Sequence, residues 1–207
     1  MELFLDDQPI PVTESNETTI LDVISRVSDD LKMENRVVAE VFVDEVQSGD
    51  WEREPYSQRK IQEVTTLRLI SDEPRRLAIK VLYDIAKYMP RLQNALVETS
   101  SLLQSRREDE AMALLRDVMG TWCELYQGLR GSTSVIGLNQ ADIRVGNTTS
   151  EAIHQQVVQL LDEATSHLNQ QRLLELSDLL EYELAPKMPL VEESIYVMIR
   201  EAERLPH

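Results

Sequence analysis

Leu3 and Leu5 alternate with Glu2, Phe4 and Asp6, the two-residue period of a β-strand. Asp7-Gln8-Pro9 reads as a turn, after which residues 10–12 return as a short second strand. From Thr19 the period lengthens. Ile20, Val23, Ile24, Val27 and Leu31 recur at spacings of three and four, which places them on one stripe of a helix. Thr19 and Asp22 spell a capping box, with Asp in place of the usual Glu or Gln. Residues 37–43 are dense in β-branched side chains and read as a third strand. Residues 45–63 are polar and irregular and hold Trp51, Pro55 and Tyr56; residues 65–70 supply a last strand.

Beyond Ser71 the pattern is helical throughout. Ser71-Asp72-Glu73-Pro74 offers a capping hydroxyl, acids for the positive helix end and an early proline. Ala78, Leu82, Ile85, Met89, Leu92, Leu96, Thr99 and Leu103 then form a heptad-like seam, in phase across Pro90. A polar turn at residues 105–109 leads to a second helix carrying Ala111, Leu114, Leu115, Val118, Trp122, Leu125 and Leu129. Residues 131–147 have the Gly, Ser, Thr and Asn of a linker, yet Val135, Ile136, Leu138, Ile143 and Val145 are apolar and need a surface to lie on. A third helix opens at Thr148 with Glu151 as its capping-box partner, and Ile153, Val157, Leu160, Ala164 and Leu168 make its stripe. A fourth follows over residues 173–184. Pro186 and Pro189 interrupt it before Val191, Ile195, Met198, Ile199 and Ala202 resume the pattern.

The two helical halves align with one another. Setting Glu98 on Glu163 brings Ser101 onto Ser166, Leu103 onto Leu168, Arg107 onto Arg172 and Leu115 onto Leu180. That is one helix-turn-helix unit used twice. The expected fold class is therefore α+β, with a sheet domain over residues 1–71 and an antiparallel helical bundle over residues 72–207. Its hairpins fall at about 72–130 and 148–207.

The order strand, strand, helix, strand, irregular segment, strand, carried by residues 1–5, 19–31, 37–43 and 65–70, resembles the ubiquitin-like β-grasp fold. The resemblance implies first and last strands parallel at the sheet centre, with the helix across one face. Conjugated modifiers and sulfur carriers of that kind end in a diglycine tail. Here the last strand runs into Ser71-Asp72-Glu73-Pro74, so the resemblance implies a fixed recognition domain instead.

Composition narrows the function. The 207 residues carry 37 acids against 21 Lys and Arg, a formal charge of −16. Phosphate affinity rests on clustered Lys and Arg, so nucleic acid is not an expected partner, and neither is an anionic membrane. A lone cysteine, Cys123, fits a reducing compartment, and the acidic start of the chain has no signal-peptide pattern. No run nears the roughly 18 apolar residues of a membrane span. A cytoplasmic protein is the expectation.

Candidate chemistry thins out under inspection. Glu151-x-x-His154 has the spacing of a carboxylate-bridged metal site, but no second such motif exists, and His167 has only Glu163 four residues before it. Cys123 lies on a helix without a histidine partner, and Gly128-Leu129-Arg130-Gly131-Ser132-Thr133 follows a helix and lacks the P-loop lysine. No catalytic, cofactor-binding or metal-ligating residue is assigned, and no cofactor is expected. With Leu3, Leu5, Val37, Ala39, Val41, Val43, Leu67 and Leu69 turned to the helix, the other sheet face holds Phe4, Val38, Phe42, Arg68 and Ile70. Both phenylalanines of the chain lie there, so this face is the candidate interaction surface, unless the helices cover it.

The sequence therefore points to a non-catalytic interaction or adaptor protein with a protein partner, and leaves room for a homodimer. Two alternatives stand beside it. The acidic hairpins are loosely similar to export-type chaperones that bind amphipathic helices of their clients. A small-molecule or metal-binding bundle enzyme would need a polar cluster converging around Glu151, His154 and His167.

Overall fold

The computed structural model describes residues 1–12, 19–49 and 58–204. The chain divides into two compact units, Met1–Leu77 and Ala78–His207. It is an α+β protein, a mixed sheet followed by helices.

In the first unit β1 (Glu2–Leu5), β2 (Gln8–Pro9), β3 (Val37–Val43), β4 (Val46–Ser48) and β5 (Thr66–Asp72) form one sheet in the order β2-β1-β5-β3-β4. β1 and β5 run parallel side by side, and the other pairs are antiparallel. α1 (Ile20–Lys32) begins at the expected capping box, with Thr19 and Asp22 each accepting from the other's backbone N–H. Its stripe Ile20, Val23, Ile24, Val27 and Leu31 is buried against Leu3, Val41, Val43, Leu67 and Leu69.

Two details differ from the reading of the pattern. The second strand is Gln8–Pro9 rather than residues 10–12, because the reversal occurs at Asp6-Asp7. Part of the irregular stretch is a strand, β4, returning through Asp44-Glu45. Trp51, Pro55 and Tyr56 lie outside the described residues. Both reversals place two residues at positive φ, 49° and 64° for Asp6 and Asp7 and 50° and 65° for Asp44 and Glu45. That is the hairpin turn usually signalled by glycine, which neither has.

The two turn acids fasten opposite ends of β5. Asp44 Oδ1 accepts from the Thr65 and Thr66 amides at 2.7 and 3.1 Å. Asp6 accepts from the Ser71 amide at 2.7 Å, the Ser71 hydroxyl at 2.6 Å and Arg36 at 3.1 Å. Burial alone would raise the Asp6 pKa, but the Ser71 donors and Arg36 outweigh it and hold it below its ordinary value. The Thr66 and Thr65 amides do the same for Asp44, against a smaller desolvation and with help from Arg59.

The second unit, with the helix that leads into it, is built from α2 (Pro74–Gln104), α3 (Glu108–Ile136), α4 (Ser150–Asn169) and a helical rod made of α5 (Leu173–Asp178), a π-helical turn, a short 3₁₀ turn and α6 (Met188–Arg204). The predicted seam from Ala78 to Leu103 is buried at every position. α2 runs unbroken through Pro90. Neighbours are antiparallel. Ser100 bonds Ser177 at 2.9 Å while Tyr83 bonds Glu203 at 3.1 Å, which opposes α2 to the last rod. Ser150 reaches Ser194 and Lys187 reaches Gln156, which opposes α4 to the rod. The prolines do not interrupt the rod. The wide π turn of Leu179–Leu184 leads into a 3₁₀ turn that takes in Pro186, and Met188 is already in helical conformation.

The linker expectation is corrected. α3 continues to Ile136, and Ser132, Thr133 and Ile136 are buried, so residues 131–136 belong to the helix. The remainder carries a small hairpin, β6 (Arg144–Val145) with β7 (Thr148–Thr149), and Ile143 and Val145 enter the helical core as their apolarity required.

The turns after α2 and α4 correspond bond for bond. Arg106 and Gln171 both sit at φ 57°. Arg106 N–H donates to Leu103 and Arg107 N–H to Leu102, at 3.0 and 2.9 Å; Gln171 donates to Leu168 and Arg172 to His167 at the same distances. Each is the paired closure that glycine usually makes at a helix C-terminus.

Candidate functional site

Pairing across the sheet sets Pro9, Phe4, Arg68, Phe42 and Gln47 in one row. Arg68 stands between the two phenylalanines. Its guanidinium lies 4.6 Å from the Phe42 ring centroid, a cation–π distance. It also pairs with Asp7 at 3.6 Å and Glu45 at 3.9 Å, one acid from each hairpin turn. Ile70 shares this face two residues along β5. All four are half-buried. Val38 is not with them. A register shift between Val38 and Glu40 pairs Val38 with the buried Ser71, and it packs on the helix-side core. The bulge takes up one residue and turns every side chain before it to the other face.

A second constellation lies in the helical unit. α4 is capped by Thr149, whose hydroxyl accepts from the Ala152 amide at 3.2 Å, so the expected box of Thr148 with Glu151 is not formed. Glu151 instead lines a cavity of about 660 Å³, together with Tyr126, Arg130, Gln140, His154 and Gln155. The i, i+3 spacing of Glu151 and His154 does put both on one helix face. His167 is elsewhere, beside Glu163 at 3.5 Å. Among the described residues no three His, Cys, Asp or Glu gather as metal ligands.

His154 is 2% exposed. Its Nδ1 lies 2.8 Å from the Ser150 carbonyl, which can only accept, so Nδ1 carries the proton. Nε2 is then an acceptor, and it is buried with no partner among the described residues. The ring packs beside both Trp122 and Tyr126, with centroids at 6.3 and 5.5 Å, while those two rings stack on each other at 6.3 Å. Burial pushes the imidazole pKa down, only partly offset by the Ser150 bond, and keeps the ring neutral. The hydrophobic pattern gives no sign of Tyr126 or Gln155, and Arg130 enters the sequence reading only within the glycine-containing segment 128–133. The available signal was Ser150 and His154, two polar residues one turn apart beside an apolar stripe.

Farther along the same pair of helices, Met112, Leu115 and Met119 of α3 and Ala164 and Leu168 of α4 line an apolar groove of about 360 Å³. Arg116 and Thr165 line it as well. Leu168, expected on the buried stripe, is 36% exposed. Cys123, one turn beyond Met119 on α3, is exposed and free.

Residues 80–193 match the family model of a domain of unknown function (DUF8042), and residues 1–71 match that of a TP0873 N-terminal domain. No curated protein and no solved structure matches the chain. Among the described residues no helix is long and apolar enough to cross a membrane.

Proposed function

The chain belongs to the DUF8042 family, and from that premise we propose that it is a non-catalytic protein-interaction or adaptor protein whose helical unit receives an amphipathic helix of a protein partner. The observation that carries this reading is the groove between α3 and α4. Its lining is apolar and rich in methionine, a flexible side chain that adapts to varied helix faces. A net charge of −16 favours a basic amphipathic partner and disfavours nucleic acid and anionic membrane. Binding of this kind is what an export-type chaperone does for its client, and a cytoplasmic setting suits it.

The sheet order, the parallel pair of β1 and β5 and the helix packed on one face support reading the first unit as a ubiquitin-like β-grasp. Its row of Phe4, Arg68 and Phe42 is a second surface for a partner. The matched turns at Arg106 and Gln171 favour a repeated hairpin.

Cys123 provides the test. An environment-sensitive fluorophore on this cysteine is titrated with a basic amphipathic helical peptide and with its acidic counterpart. The basic peptide should shift the emission and the acidic one should not. Met119→Glu should weaken binding by about tenfold or more, because a carboxylate resists burial in the groove. No response to the basic peptide, or an equal response from the Met119→Glu protein, overturns the reading.

A further inference from the structure

The cavity at the Thr149-capped end of α4 brings a cation, a carboxylate residue and a buried acceptor to one place. Arg130 and Glu151 are among its lining residues; both are exposed, and neither has an ion-pair partner among the described residues. His154 adds Nε2, an acceptor shut off from water and left without a donor. Buried polar atoms in folded proteins are nearly always satisfied, so this acceptor marks a place beside the cavity where a donor, from water or a ligand, belongs. The volume, about 660 Å³, is that of a small-molecule site.

We propose that this cavity binds a small zwitterion of the amino-acid class. Its carboxylate lies on Arg130, whose planar fork suits two carboxylate oxygens. Its ammonium lies on Glu151. An N–H or O–H of the ligand donates to His154 Nε2. Tyr126 lines the cavity and its ring packs against the imidazole, so a rotation of this half-buried side chain admits the donor. The two opposed charges define the class. A nucleotide or dicarboxylate would be repelled by Glu151, and a diamine by Arg130. His154 asks for a donor because its proton is committed to the Ser150 carbonyl.

The experiment follows the His154 imidazole by NMR while the intact protein meets the standard free amino acids at about 1 mM, a level that detects weak binding. Each is compared with its methyl ester, which lacks the carboxylate, and its N-acetyl derivative, which lacks the ammonium. At least one free amino acid should shift the His154 signals, with both derivatives weaker by about tenfold, the order expected for losing one charge-assisted contact. In the Arg130→Gln protein the free acid and the ester should bind alike. In the Glu151→Gln protein the free acid and the N-acetyl form should bind alike. Both residues are exposed, so neither change threatens the fold. The assignment is overturned if no amino acid moves the His154 signals, if esters and free acids bind the native protein equally, or if both variants keep the native preferences.

Discussion

Arg106 and Gln171 hold a φ of 57°, where a Cβ crowds the backbone, at turns whose hydrogen bonds glycine would make without strain. Arg106→Gly and Gln171→Gly should therefore each stabilise the helical unit by about 1 kcal/mol. Calorimetry would register this as a rise in Tm of roughly 3 °C. His154 makes a different prediction. Its folded pKa lies below its unfolded value, so the unfolded chain takes up the proton first as the pH falls. The contribution of the neutral ring is complete above about pH 6.5 and is lost as the pH falls below it toward the folded pKa. Thermal melts of the native protein should lose stability over this window, and those of His154→Leu should lose less. Equal slopes for the two proteins would refute the linkage.

Among the elements, α3 has the least orthodox sequence. Gly120 and Gly131 lie inside it with open space where a Cβ would stand, and a Cβ on Gly128 would meet Ile85 Cδ1 at 3.4 Å. Gly120→Ala and Gly131→Ala should each add about 1 kcal/mol in chemical denaturation, with Gly128→Ala adding less. The same composition explains why the end of α3 was not legible. Gly131, Ser132, Thr133 and Ser134 spell a linker by local preference. Burial of Ser132, Thr133 and Ile136, and the bond from the Thr133 hydroxyl to the Leu129 carbonyl at 3.0 Å, override it. The apolar stripes of α1 and α2 were readable because packing and periodicity agree there. The turns at Asp6-Asp7 and Asp44-Glu45 were hidden because acids anchored to β5 amides take the place of glycine. The bulge before Glu40 has no local marker, and it moved Val38 off the predicted face. Phe4, Phe42, Arg68 and Ile70 share a face as the alternation of β1, β3 and β5 said. The cavity was half visible. Glu151 and His154 were noticed for their spacing, whereas Tyr126 and Arg130 come from another helix and no local pattern joins them.

For the whole molecule, the two units answer acid differently. Asp6 and Asp44 have folded pKa values below their unfolded ones, so their contributions are complete above about pH 4 and vanish as the pH drops through the lowered values. The helical unit begins to lose the contribution of His154 well above that pH. On acidification, methyl NMR signals of the helical core should weaken against heat before those of the sheet core. Asp6→Asn should destabilise the sheet unit at neutral pH and make little difference near pH 2, where the native carboxyl is also neutral. Arg68 bears on how molecules meet one another in solution. A sheet face with phenylalanines on β1 and β3, either side of β5, is a template for stacking wherever a second sheet can reach it, and a cation set mid-row forces that sheet to strip water from a charge. Arg68→Leu would leave an unbroken greasy band from Phe4 to Phe42. That protein should scatter light and seed amyloid-dye fluorescence at concentrations where the native chain stays clear, which makes Arg68 a guard against self-assembly as well as a member of a surface.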